Sequence, residues 1–179
     1  MSTIKAERWR TLDDRPVHAF AQVVTTQKTN TQYIQSGPAT FVDVMSVTIT
    51  PRYANSKILV LIMLNMSLNG HGSIQLLKND FLLENFSGDL LAYYNKNRTW
   101  HSDYATSTYN TVYDCRSYSG EILDTAGSTN ALTYKLRVGT TSNTTEYVGI
   151  NYNAYNTSDG AWNFRTASCI TAIEVLQGD

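Results

Sequence analysis

Between residues 44 and 50 apolar and polar side chains alternate, with Met45, Val47 and Ile49 on one side and Ser46, Thr48 and Thr50 on the other. A period of two is the mark of a β-strand with one buried face. A few residues on, residues 58–64 are apolar at every position, including the β-branched Ile58, Val60 and Ile62. The run is far short of the ~20 apolar residues of a membrane helix. Its branched side chains favour a strand. A strand apolar on both faces needs cover on both. One face, carried by Ile58, Val60, Ile62 and Leu64, belongs to a core or to a subunit contact; the other needs a second layer or a neighbouring chain.

The same reading places strands at residues 41–50, 57–68, 73–77, 81–84, 131–138, 146–151 and 168–176, with shorter candidates at 90–94, 111–115 and 121–123. Pro51 lacks an N–H and ends the first ladder. Asn69-Gly70 predicts a turn over 69–72, because that pair readily takes positive φ. Residues 78–80 predict a hairpin turn, and 124–130, 139–145 and 154–160 predict loops. No segment shows helical periodicity or an internal repeat. Short strands separated by Ser/Thr/Asn/Gly turns predict an all-β antiparallel sandwich. Residues 1–37 scatter Ile4, Trp9 and Phe20 among polar and charged positions. They are expected to form an extended N-terminal arm with apolar anchors, leaving 38–179 as the head domain.

Composition narrows the function. The 179-residue chain can bury one core, and charged residues make up only 16% of it, so neutral polar loops prevail. A net charge of −1 and the lack of a Lys/Arg run argue against a direct nucleic-acid partner. No secretory leader or membrane insertion is expected. The two cysteines, Cys115 and Cys169, are expected to be free, with Cys169 a small buried hydrophobe. His18, His71 and His101 lack metal-ligand spacing, and His71 reads as a turn residue. No nucleophile elbow or phosphate loop occurs. The pairs Asp13/Asp14 and Glu121/Asp124 are glycosidase-like only in composition. The chain is therefore expected to have no catalytic residues, no metal and no cofactor. Aromatics are the more informative class. Tyr93, Tyr94, Trp100 and Tyr104 cluster in one weakly periodic stretch; Tyr152, Tyr155 and Trp162 cluster in another. Such side chains beside Asn and Asp suit a glycan surface, but subunit contacts or capping of the sandwich ends account for them more readily.

Three segments taken in order resemble a known group. TITPRYANSKILV (residues 48–60), LDTAGSTNALTYKLRV (123–138) and SCITAIEV (168–175) are similar to segments of small β-structured virion proteins of bacteriophages, especially cyanophage and marine-phage fibres. The opening MSTIKAERW resembles their N-terminal leader. The resemblance implies a TNF-like jelly roll that assembles as a homotrimer, with other tail or capsid proteins as partners. It implies a tail-fibre or tail-tip protein, assembled in the host cytoplasm and residing in the virion, that touches host surface polysaccharide. The short arm departs from fibre proteins and raises a capsid decoration (cement) protein as the alternative. A lectin-like carbohydrate-binding module is the alternative from another class.

Overall fold

In the computed structural model, residues 20–35, 40–83, 101–105, 115–140, 147–153 and 165–176 are described. They form ten strands and, among the described residues, no helix. The strands are β1 (Phe20–Lys28), β2 (Gln32–Gln35), β3 (Thr40–Ile49), β4 (Lys57–Lys78), β5 (Phe81–Leu82), β6 (His101–Ala105), β7 (Arg116–Thr125), β8 (Leu132–Thr140), β9 (Tyr147–Ile150) and β10 (Ser168–Val175). All pairings are antiparallel. The expected all-β antiparallel sandwich is what the chain forms.

Strand β4 organises both layers. Its first half lies between β10 and β7, with β1 outside β10, giving the order β1-β10-β4-β7. Residues 66–69 then pair with β9, which carries β2 on its far edge. Its second half lies between β8 and the β5 and β6 strands, with β3 outside β8. The sheets share one core, in which Ile58, Val60, Ile62 and Leu64 of the first meet Val47, Ile49, Leu136 and Val138 of the second.

The turn expected at residues 69–72 does not form; β4 is one strand of 22 residues. A hairpin there would pair residues 64–68 with 73–77, but these segments pair with different strands in different sheets. His71 accordingly lies within β4, in register with Tyr104. Gly72 lets the strand stay close to itself at the change of sheet, because a Cβ there would run into the Leu68 side chain. The hairpin at 78–80 is real: Asn79 and Asp80 both have positive φ (49° and 69°), the type I′ pattern that matches strand twist.

The arm boundary moves. Residues 20–35 are not an arm: β1 pairs along its length with β10, and β2 pairs with β9. Phe20 opens β1 rather than anchoring a free segment. Sequence pattern hides these strands because β1 lies at the sheet margin with one face in the open, where Thr and Gln are tolerated. Ile4 and Trp9 lie outside the described residues. One further strand is longer than expected: β7 takes in 116–125, so Asp124 and Thr125 are strand rather than loop, whereas β3 is only shifted by one residue, to Thr40–Ile49.

One end of the sandwich is pinned by a polar cluster between the layers. The Asp124 carboxylate of β7 is 2.7 Å from the Lys78 ammonium of β4 and accepts the Tyr134 hydroxyl of β8, also at 2.7 Å. Tyr134 is fully buried. Burial first, then its bond to Asp124, pushes the phenol pKa far up, so it stays a donor. Asp124→Ala should therefore cost about 2–3 kcal/mol, because it strands a buried hydroxyl and leaves the part-exposed Lys78 ammonium only the Thr125 carbonyl. Tyr134→Phe should cost only about 1 kcal/mol. Urea unfolding of the two variants measures the difference, and equal losses would mean that Lys78 contributes nothing.

Candidate functional site

The two outer faces of the sandwich differ in kind. On the second sheet, Ser46 and Thr48 of β3 face outward beside Thr133, Lys135 and Arg137 of β8. Lys135 pairs there with Asp43 (3.1 Å) and Asp80 (2.7 Å), and Arg137 with Asp43 (3.1 Å). That face is built for water. On the first sheet the register aligns Val23, Ile173, Leu59 and Leu123 in one row across β1, β10, β4 and β7. With strands ~4.8 Å apart the row is about 14 Å wide. Its ends are open, Val23 at 58% and Leu123 at 59% exposure. Leu61 and Met63 extend the patch along β4, and Phe20 and Val175 border it on the other side. Cys169 lies on this face half-buried, not in the core as expected; neither it nor Cys115 is in a disulfide.

The all-apolar stretch of β4 thus has one covered and one open face. Ile58, Val60, Ile62 and Leu64, named from sequence as core or trimer contact, point into the core of their own chain and are buried. The side chains left for any partner are the alternate ones, Leu59, Leu61 and Met63. Beyond Met63 the outer face closes, because Ala167 and Ser168 lie against Asn65, and the Tyr152 ring and the Ser67 hydroxyl crowd the same side of Gly149. Asn65 donates to the Ala167 carbonyl (2.6 Å) and accepts the Ser117 hydroxyl. Ser168 Oγ accepts the Asn65 N–H (2.9 Å) and donates to Asn151 Oδ1 (2.6 Å).

Asn151 shapes the second feature. Its φ of 62° turns the chain after β9. Its amide donates to the carbonyls of Lys28 (2.8 Å) and Asn30 (3.1 Å), which fixes the turn between β1 and β2. The chain that follows lays the Tyr152 ring over Gly149: a Cβ at that glycine would sit 3.1 Å from two ring carbons. Tyr33 of β2 is the register partner of Gly149, and its ring packs on Tyr147 of β9 at 5.3 Å between centroids, tilted by 31°. Arg165, bridged to Tyr152 through the backbone, holds its guanidinium 5.8 Å from the Tyr152 ring centre. Burial, then the neighbouring Tyr33 and Tyr147, push the Tyr152 hydroxyl up to about 12.

The aromatic residues named from sequence separate accordingly. Tyr152 is 2% exposed and supports the strip instead of presenting a surface. Tyr104 lies in β6, opposite His71. Tyr93, Tyr94, Trp100, Tyr155 and Trp162 lie outside the described residues. Tyr33, at 55% exposure, was not singled out from sequence; the alternation of Tyr33 and Gln35 against Ile34 is the signal that could have found it. Nothing in the sequence marks Arg165. The carboxylates Glu121 and Asp124 cannot act as a pair, because they sit on opposite faces of β7: Glu121 is in register with the outward Leu61, Asp124 with the inward Ile58.

Residues 48–60, 123–138 and 168–175 meet at the end of the sandwich pinned by Asp124. The connector 51–56 accepts the Ala126 N–H at the Ser56 carbonyl and the Gly127 N–H at the Ala54 carbonyl, both at 2.9 Å. It also donates the Arg52 N–H (2.7 Å) and Tyr53 N–H (3.3 Å) to the Glu174 carboxylate of β10. No protein-family model and no curated protein matches the chain.

Proposed function

We propose that the chain is a structural protein of a bacteriophage particle, a trimeric jelly roll of a tail fibre or tail tip that joins the virion through residues 1–19 and meets host glycan on its surface. The observation that carries this reading is the contrast between the sandwich faces. A sheet with a continuous apolar row on its outer side gains by covering that row, at about 25 cal/mol per Å² removed from water. The ion-paired face opposite gains nothing comparable. The orders β1-β10-β4-β7 and β3-β8-β4-β5 support a jelly roll, in which strands leave one layer and return in the other. The meeting of the three resembling segments supports the phage relationship at the level of the fold. A capsid decoration protein would use the same trimer, and copy number separates the two: a fibre contributes tens of chains per particle, a shell-wide decoration protein hundreds. A solitary lectin-like module would instead run as a monomer.

The test is the solution mass by light scattering after size exclusion. Three times the 20.0 kDa chain is expected; a monomer at high concentration overturns the reading. Two deletions then divide attachment from folding. Removing 1–19 should leave a folded trimer that no longer enters particles. Removing 1–35 takes away β1 and β2 and should unfold the head, since Val24 and Ile34 pack on its core. Circular dichroism and incorporation into particles measure the two effects.

A further inference from the structure

We propose that Cys169 and Met63 form a two-coordinate site for a soft monovalent cation, Cu(I), on the outer face of the first sheet, with the Cys169 thiolate and the Met63 thioether as its ligands. The proposal goes beyond the particle reading above and does not rest on it, because both sulfurs belong to one chain.

The register brings the two side chains together. Cys169 of β10 is the direct partner of Met63 of β4. Direct partners on an antiparallel ladder point to the same face, with Cβ atoms about 4.5–5.5 Å apart. One ion with two bonds of about 2.3 Å to sulfur can join side chains carried on such a pair. The unbranched methionine side chain has rotatable bonds enough to bring its sulfur to the ion. Both residues are accessible, Met63 at 41% exposure and Cys169 half-buried. Ladders on both sides fix the two strands: Gln27 of β1 stands beside Cys169, and Ser119 of β7 beside Met63.

The class of ion follows from the donors. Thiolate and thioether sulfur are soft and select Cu(I), whereas carboxylate and carbonyl oxygens suit hard cations. The carboxylate on this part of the face, Glu121, stands opposite Leu61 and not opposite a sulfur. Among the described residues no three His, Cys, Asp or Glu side chains gather where they could hold an ion, so the ligand set that Zn(II) requires is lacking there. On binding, Cys169 gives its proton to solvent as the Cu–S bond forms, and thiolate and Cu(I) together carry no net charge. A neutral complex suits a position next to Leu61 and the apolar row, where an uncompensated charge would be costly to desolvate. Cys115 is the internal comparison: it precedes β7, with its sulfur 3.7 Å from the Thr166 hydroxyl.

The experiment titrates the full chain with Cu(I) without oxygen, against bicinchoninate, a chelator whose colour reports the Cu(I) it holds. The wild type should withdraw one Cu(I) per chain, and equimolar Zn(II) should not displace it. Cys169→Ser should abolish this uptake. Met63→Leu, which keeps size and apolar character, should weaken it at least tenfold. Cys115→Ser should bind like the wild type. Both ligands face outward, so the variants should keep the wild-type circular dichroism spectrum. Leu59→Asp is titrated in parallel, since it opens any subunit contact over the face and puts its carboxylate about 13 Å along β4 from Met63. Uptake by Leu59→Asp alone supports the site and sets it beneath that contact. No uptake by either protein overturns it. A Met63→Leu protein that binds like the wild type, or a Cys115→Ser protein that loses the ion, overturns the pairing of these two sulfurs. Displacement by Zn(II) overturns the soft class of ion. Solution mass is read separately: a wild-type monomer that holds Cu(I) keeps this site and overturns the trimer, and a trimer with no uptake by either protein does the reverse.

Discussion

Val60→Asp should yield no folded protein, while the same change one residue along, Leu61→Asp, should yield a well-folded monomer. The two side chains are neighbours on β4 and point to opposite faces. Val60 lies between Ala172 and Ile122, is fully buried, and has aliphatic neighbours from both sheets. A carboxylate there has no partner and costs several kcal/mol as a charge or as a neutral acid. Against the roughly 5–15 kcal/mol that separate folded from unfolded domains, and with the lost valine packing added, that is enough to unfold the chain. Leu61 faces outward in a row with Thr25, Thr171 and Glu121. In a lone chain its replacement stays hydrated, so the change in unfolding free energy should be within about 1 kcal/mol. In an assembly covering the apolar row, three copies of the new carboxylate, each near Glu121, would be desolvated together. Circular dichroism and solution mass separate the outcomes. A trimeric Leu61→Asp protein would show that this face is not the subunit contact, and a folded Val60→Asp protein would contradict the burial of that position.

These two residues also show what the sequence could convey. An unbroken apolar run implies that both faces of the strand want cover; in this chain one face is covered and the other is open. The run does not reveal which alternate residues face inward, because every position is equally apolar. Where polar residues alternate, as at 131–138, the facing is legible and the structure keeps it; at 168–175 it is not, because Ser168 and Glu174 face inward while Cys169 and Ile173 face outward. The misassigned elements share a physical cause. Strands β1 and β7 lie at the margins of the first sheet, and about half their side chains meet solvent, so Thr, Gln, Ser and Gly dilute the pattern. The Asn69-Gly70 pair can take positive φ, but turn propensity is local and yields when each half of a strand finds its own neighbours. The aromatic strip was least legible of all. It depends on Gly149 being empty and on Asn151 turning the chain, and neither is visible as aromatic patterning.

The second large effect should come from Glu174. Its carboxylate is fully buried at the edge of the core, in register with Ile58. It accepts the Gln22 amide at 2.9 Å and the N–H groups of Arg52 and Tyr53. Burial pushes its pKa up; the neighbouring Ser56 side chain, the Gln22 amide and the connector N–H groups outweigh burial and hold it below the ordinary value of 4.5. The unfolded chain therefore takes up this proton more readily than the folded one. The stabilisation is complete above the ordinary value and is lost as pH falls through the depressed folded value. Glu174→Gln keeps one oxygen for the connector but turns an NH2 toward the Gln22 amide, donor against donor. The variant should lose about 1–3 kcal/mol at neutral pH and show a shallower fall in stability on acidification. Urea unfolding at several pH values between about 3 and 7 measures both. An unchanged midpoint with an unchanged acid limb would mean that the connector holds its shape without the carboxylate. The expected result has a wider consequence, since Glu174 ties the connector to β10 and the connector ties the 126–127 turn. Acid should then loosen first the end of the sandwich where the connector, the 126–127 turn and β10 meet, leaving the Tyr33 strip, held by Asn151 and Ser168 without any carboxylate among their hydrogen bonds to Lys28, Asn30 and Asn65, intact to lower pH.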